Sequence, residues 1–302
     1  MKKLICAILA FILCLAPAAM ANRAVTDRAG NAITLPDTLE RVISLAPSIT
    51  QIVLDMGYGD RLVAVDAYSA RYFPEVAHLP QYDMMSPDCE QIAMLLPDAI
   101  FVTGMSHAYG DNAYAPLMAM GVTMIVVPSS ESLAAIREDV AFVGECFGDR
   151  EAAEILTAGM DEAVKAVSAI AETIEDKKTV MFELAALPYL YSFGKGVFLD
   201  EMITMLGAEN VFSAHDSWIS VTEESAVIAN PDVILTGVDY IEDPVSEILG
   251  RSGWENVPAV ANKAVYPIDP VKVSLPNHHV TEALVEMALA VYPDAYASLN
   301  EQ

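Results

Sequence analysis

Asp149 to Glu175 reads DREAAEILTAGMDEAVKAVSAIAETIE. Apolar side chains recur at positions 152, 153, 156, 160, 163, 164, 167, 170 and 171, the 3.6-residue period of a helix with one buried face. The stretch has no proline and a single glycine, Gly159. About 26 helical residues span roughly 39 Å. A flexible linker would be rich in Gly, Ser or Pro; this one is stiff. It therefore reads as a rigid bridge, and the chain on either side of it reads as two similar halves.

Toward the amino end, apolar strand-like runs at 41–46, 61–66, 98–103 and 122–127 alternate with helical patterns at 49–56, 88–96 and 113–120. A small hairpin over 25–36, turned at Ala29-Gly30-Asn31, precedes them. Toward the carboxyl end, strand candidates at 179–184, 208–212, 233–236 and 264–268 alternate with helices near 197–206, 221–229, 244–250 and 280–291. Strands apolar on both faces, alternating with helices, imply parallel sheets covered on both sides. Ser48 with Gln51, Asp88 with Gln91 and Ser220 with Glu223 have capping-box spacing, and Gly57 and Gly207 are natural helix stops. Leu96-Pro97-Asp98-Ala99-Ile100 and Asn230-Pro231-Asp232-Val233-Ile234 form a weak internal repeat, one copy per half. The expected fold is α/β: two Rossmann-like lobes with mainly parallel sheets, one long backbone helix joining them, and a ligand cleft between. The expected division is 1–21 signal peptide, 22–148 amino-terminal lobe, 149–175 bridging helix and 176–302 carboxyl-terminal lobe.

The chain opens Met1-Lys2-Lys3, runs apolar from Leu4 to Leu15, and reaches Ala19-Met20-Ala21. This is a secretory signal with cleavage expected before Asn22. The apolar run is shorter than the roughly 20 residues that span a bilayer. Phe11-Ile12-Leu13 before Cys14 lacks the small residues of a lipobox, so a lipid anchor is not expected. The expected location is periplasmic or extracytoplasmic. Without Lys2 and Lys3, 14 basic residues face 42 acidic ones, a net −28 that repels nucleic acid and anionic lipid. Cys89 and Cys146 remain, and two separate thiols are expected rather than a disulfide. A nucleophile elbow, a P-loop and Gly-x-Gly-x-x-Gly are all missing from the sequence, so no enzyme is expected.

The order of several fragments is specific. Arg41 to Gln51 reads RVISLAPSITQ and Gly57 to Val65 reads GYGDRLVAV. Ser86-Pro87-Asp88-Cys89-Glu90 leads to Leu96-Pro97-Asp98; then come Gly194-Lys195-Gly196, Gly207 to Phe212, Trp218 to Glu224, and Gly253-Trp254 through Tyr266. In that order the chain resembles the helical-backbone class of periplasmic solute-binding proteins, from Val25 to the carboxyl terminus. The resemblance implies a monomer that serves the permease and ATPase subunits of an ABC importer of cobalamin, haem or ferric siderophore. It also implies one acidic docking residue on each lobe tip, matched here by Glu90 and Glu209, with Glu224 as second choice.

Ligands of such sheets sit beyond the carboxyl ends of the strands. That rule selects Ser48, Tyr68, Tyr82, Met84, Met85, His107 and Tyr109 in the first lobe, and Tyr189, Trp218, Tyr240 and His278 in the second. Each also has a plain structural reading: Ser48 as a helix cap, the aromatics as core, and His278-His279 as packing at the start of the last helix. Many members of the resembled family carry arginine where this chain has Leu275-Pro276-Asn277-His278-His279, which disfavours a carboxylate-rich siderophore. A cobalamin-like corrinoid is the favoured cargo, since tyrosines and methionines suit broad apolar faces fringed by amides. Haem is next, with Met84 and His278 as axial ligands, then a ferric siderophore. A direct zinc or manganese carrier is less favoured, because the five histidines are scattered. No catalytic cofactor and no resident metal are expected.

Overall fold

The computed structural model describes residues 22–104 and 112–301. The signal segment, His107 and Tyr109 lie outside the described residues. Strands β1 (Asn22–Thr26) and β2 (Ala32–Pro36) pair antiparallel, and Asp27 closes their turn by accepting the backbone N–H groups of Ala29 and Asn31.

The first lobe is built on five parallel strands: β3 (Val42–Leu45), β4 (Leu62–Asp66), β5 (Gln81–Tyr82), β6 (Ala99–Val102) and β7 (Thr123–Val126). Their order is β5-β4-β3-β6-β7. β3 and β6 are buried at every residue, as expected of strands covered on both faces.

The second lobe follows a similar plan. β8 (Thr179–Glu183), β9 (Tyr191–Phe193), β10 (Glu209–Asn210), β11 (Trp218–Ser220), β12 (Val233–Thr236) and β13 (Val265–Pro267) form a parallel sheet ordered β10-β8-β12-β13 and a separate antiparallel pair, β9 with β11. The internal repeat is real at the level of hydrogen bonds. The Asp98 carboxylate accepts the N–H groups of Glu40 and Arg41 ahead of β3, and the Asp232 carboxylate accepts the N–H and hydroxyl of Thr179 at the start of β8. Leu96 and Asn230, two residues earlier, both adopt positive φ, 48° and 51°.

The bridging helix runs Arg150–Ala171, capped by Asp149, whose side chain accepts the Ala152 N–H. It ends ahead of the expected Glu175 because the Thr173 hydroxyl donates to the Ile170 carbonyl and the backbone turns there. A helix not expected from the sequence, Leu133–Phe147, packs against it, and Gly148 joins the two. The last helix, Val280–Val291, packs on its other side.

Two expected caps differ. The helix after β3 begins at Pro47 with Ala46 before it and no side-chain cap, because proline already occupies the first turn; Ser48 lies inside the helix. Thr222, not Ser220, caps the helix Glu223–Ala229 in a capping box with Ser225, since Ser220 is taken up by β11. Cys89 and Cys146 are both free thiols, and burial pushes the Cys146 thiol up to about 12.

Candidate functional site

A cavity of about 290 Å³ opens beyond the carboxyl ends of the first-lobe strands. Pro47 and Ser48 reach it from the end of β3, Tyr68 and Tyr72 from β4, Met84 from β5, Thr103 from β6, and Pro128 and Ser129 from β7. The second lobe closes it with Ser274, Leu275 and Pro276.

Local chemistry holds these groups in place. The Asp66 carboxylate caps the helix Ala67–Tyr72 by accepting the N–H groups of Tyr68 and Ser69 at 2.8 and 3.0 Å. The Ser69 hydroxyl also bonds Asp66 and Thr50, and Thr50 continues the buried chain to Ser44. Burial pushes the Asp66 carboxyl upward against the hydrogen bonds from Ser69. Tyr68 thus stands on a fixed base with 55% of its surface exposed, its ring 6.4 Å from that of Tyr72. Met84 is held by its carbonyl, which accepts the Tyr114 hydroxyl at 2.6 Å.

The floor holds Asp139, which is buried, accepts Arg28 Nε at 2.6 Å and bonds the Ser130 hydroxyl. Burial pushes its carboxyl upward, against Ser130 and Arg28. Among the described residues no arginine, lysine or histidine lines the cavity. The Thr103 hydroxyl is buried there without a hydrogen-bond partner among the described residues.

Across the mouth, Arg71 of the first lobe pairs with Asp239 of the second at 3.0 Å. Next to Asp239, Tyr240 is largely exposed, and its hydroxyl accepts the Ala186 N–H at 2.8 Å. Tyr189 is exposed in the adjoining loop. Trp218 meets Phe193 and Phe198 edge-on, with ring centroids 5.9 and 6.3 Å apart.

Ser48, Tyr68 and Met84 therefore share one cavity. Tyr82, Met85, Tyr189, Trp218 and Tyr240 are not in its wall. His278 is elsewhere. Its Nε2 donates to the Asp55 carboxylate at 3.0 Å and it lines a separate groove against the bridging helix, so the Met84–His278 pairing does not form. Pro128, Ser129 and Asp139 were not selected from the sequence. The strand-end rule applied to β7 would have found the first two; no local signal marks Asp139.

The docking candidates separate as well. Glu90 is exposed in the first turn of the helix Cys89–Met94, on the cleft side of its sheet. Glu209 is exposed but pairs with Thr179, at the amino end of the second sheet and opposite the cleft. Glu90 and Glu209 therefore do not lie at matching ends of their sheets. Glu224 lies in the first turn of its helix on the cleft side. It is 134 positions after Glu90, the same offset that relates Asn230 to Leu96.

Two α/β lobes, one bridging helix and a cavity at the strand ends match a known family over residues 42–271, described as periplasmic binding protein. The chain belongs to the periplasmic binding protein family. It is a substrate-binding protein of the ABC-importer type. It is 28% identical to an uncharacterized ABC transporter substrate-binding lipoprotein, YvrC, of Bacillus subtilis, over 90% of this chain and 86% of that one. It is 26% identical to a cobalamin-binding protein of Halobacterium salinarum, over 88% and 73% of the two chains. The solved structure of the molybdate-binding protein MolA of Haemophilus influenzae superposes with a TM-score of 0.78 at 20% identity, over 91% and 93%, which shows the shared fold. Among the described residues of this family member, no helix is long and apolar enough to cross a membrane.

Proposed function

We propose that this chain is exported, loses residues 1–21, and works as a monomer that carries a large neutral chelate, a cobalamin-like corrinoid first, to an ABC permease and its ATPase. The observation that carries this reading is the cavity wall: tyrosine, methionine, proline and leucine, a buried Asp139, and no cation among the described residues. Inside the cavity an oxyanion, a haem propionate or a siderophore carboxylate would meet no guanidinium fork among the described residues, and Arg71 at the mouth is paired with Asp239. Apolar corrin faces suit the aromatic rings, and ring amides suit the Thr103 hydroxyl, which has no partner among the described residues, and the tyrosine hydroxyls.

Sites for drug-sized ligands run about 300–1,000 Å³, so a cavity of about 290 Å³ admits one edge of such a ligand. The rest spans the mouth between Tyr68 and Tyr240, and entry parts the Arg71–Asp239 pair. A half-exposed pair of this kind is worth at most about 1 kcal/mol, so it opposes entry weakly. Within this division of lobes, Glu90 and Glu224 are the docking pair, supported by their equivalent places in the internal repeat.

Haem stands second, with Met84 as an axial ligand and no histidine opposite it among the described residues. Titration with cyanocobalamin and with hemin, followed by calorimetry and visible spectra, tests the reading. Cyanocobalamin should bind more tightly than about 10 μM, about −7 kcal/mol, and Tyr68→Ala should weaken it. A stoichiometric hemin spectrum with no cobalamin binding would reverse the order.

A further inference from the structure

Gln51 and Asp55 lie on the first-lobe helix Pro47–Asp55, and Asn277, His278 and His279 lie at the start of the last helix in the second lobe. They meet where the two lobes touch. The Asn277 amide donates to Gln51 Oε1 at 2.8 Å. Both imidazoles converge on one carboxylate oxygen, His278 Nε2 at 3.0 Å and His279 Nε2 at 2.9 Å from Asp55 Oδ2. One donor from each of these three residues lies within 4.8 Å of the other two.

We propose that Asp55, His278 and His279 form a binding site for a zinc-class divalent cation that joins the two lobes, outside the cavity proposed for cargo. Zinc takes nitrogen and carboxylate oxygen at about 2.0–2.1 Å, and tetrahedral angles then set its donors about 3.3 Å apart. The two His–Asp distances are within a few tenths of an ångström of that spacing. Three protein ligands leave the fourth position open.

The outer shell fits too. Glu282 Oε1 sits 2.6 Å from His279 Nδ1, the carboxylate–histidine contact that orients a metal-binding ring and frees Nε2 for the ion. Lys272 holds the other Glu282 oxygen at 3.0 Å. The His278 side chain is only 10% exposed, and its Nδ1 is buried without a hydrogen-bond partner among the described residues. With Nε2–H turned toward Asp55, that nitrogen is a bare acceptor with nothing to accept. His279, between two carboxylates, gives up its Nε2 proton to solvent and keeps Nδ1–H on Glu282.

Zinc titration of the metal-stripped chain by calorimetry, with cobalt(II) as a visible probe, tests the site. One zinc ion per chain is expected, together with the intense visible bands of four-coordinate cobalt. Asp55→Asn and His279→Ala should abolish both. Glu282→Gln, a positioning change, should weaken zinc by about tenfold or more. Melting curves without metal establish that each variant is folded, and Asp55→Asn keeps an oxygen for the two rings. Weak zinc uptake with several ions per chain, or cobalt bands that survive in both Asp55→Asn and His279→Ala, would overturn the proposal. So would zinc binding that cyanocobalamin or hemin displaces one for one, because that would place the ion in the cargo cavity.

Discussion

Gly144 and Gly159 lie on the two helices that meet along the bridge, and alanine should act in opposite directions at the two. Replacing a mid-helix glycine by alanine ordinarily gains about 0.5–1 kcal/mol of backbone entropy. At Gly159 nothing lies within 4 Å of the added carbon, so the gain should be realised. At Gly144 a Cβ would sit 2.4 Å from Ala153 Cβ and 2.9 Å from the Asp149 carbonyl oxygen. Carbon atoms pack best at about 3.5–4.0 Å, so the Leu133–Phe147 helix and the bridging helix must separate by roughly 1 Å. The Asp149 N–H donates to the Gly144 carbonyl at 2.9 Å, which ties the start of the bridge to this spot and resists that shift. Overpacking of this kind costs about 1–3 kcal/mol, which exceeds the entropic gain and leaves a net loss of about 1–2 kcal/mol. Urea unfolding of the three proteins, compared by midpoint at constant slope, measures both signs. The double variant Gly144→Ala with Ala153→Gly should recover part of the loss, since the carbonyl contact persists. A higher midpoint for Gly144→Ala would refute the close approach that sets where the bridge leaves the first lobe.

Charge reversal at Glu90 or Glu224 should leave cargo affinity unchanged and lower transport in reconstituted vesicles, whereas Glu209→Lys should alter neither; the opposite assignment of Glu209 and Glu224 would refute the docking pair. Arg251 bonds Glu183 through two nitrogens at 2.7 and 2.9 Å, and both side chains are almost wholly buried, so Arg251→Met strands a buried carboxylate and should cost about 3–5 kcal/mol. Adding Glu183→Gln should restore much of that in urea unfolding, and an unchanged midpoint for the single variant would rule the argument out. The Asp149 cap is pH-dependent in a stated direction: the Ala152 N–H, then the Tyr58 hydroxyl, hold its carboxyl below the usual 3.8. Its charge therefore stabilises the fold above that value, and the contribution disappears as pH falls through the depressed one. The gap in melting temperature between the native chain and Asp149→Asn should hold from pH 7 to 5 and close below about pH 4; a gap that widens in acid would contradict the sign.

Much of the architecture is legible in local patterns. The bridging helix follows from apolar spacing between 152 and 171, and the parallel strands follow from runs such as Val42–Leu45 and Val233–Thr236, which must be covered on both faces. The Leu133–Phe147 helix was legible and overlooked: Ser132 caps it, and buried residues recur at 133, 136, 140, 143 and 147. Ser48 misleads as a cap because Pro47 starts the helix one residue earlier. Strands as short as β10 carry too few residues for any period to show.

The cavity at the first-lobe strand ends was half legible. Ser48, Tyr68 and Met84 follow strands directly, so the strand-end rule finds them. His278 obeys no such rule. Its direction is set by how the last helix packs on the bridging helix, which turns Asn277, His278 and His279 toward Gln51 and Asp55, more than 220 positions away in the chain. Glu209 and Glu224 are equally plausible as sequence, and only the parallel register of β10 with β8 puts one opposite the cleft while the other stays beside it. Spacing along the chain encodes which residues share a face of one element. Which end of a sheet meets the other lobe depends on packing between elements far apart in sequence, and that was decided only in the folded chain.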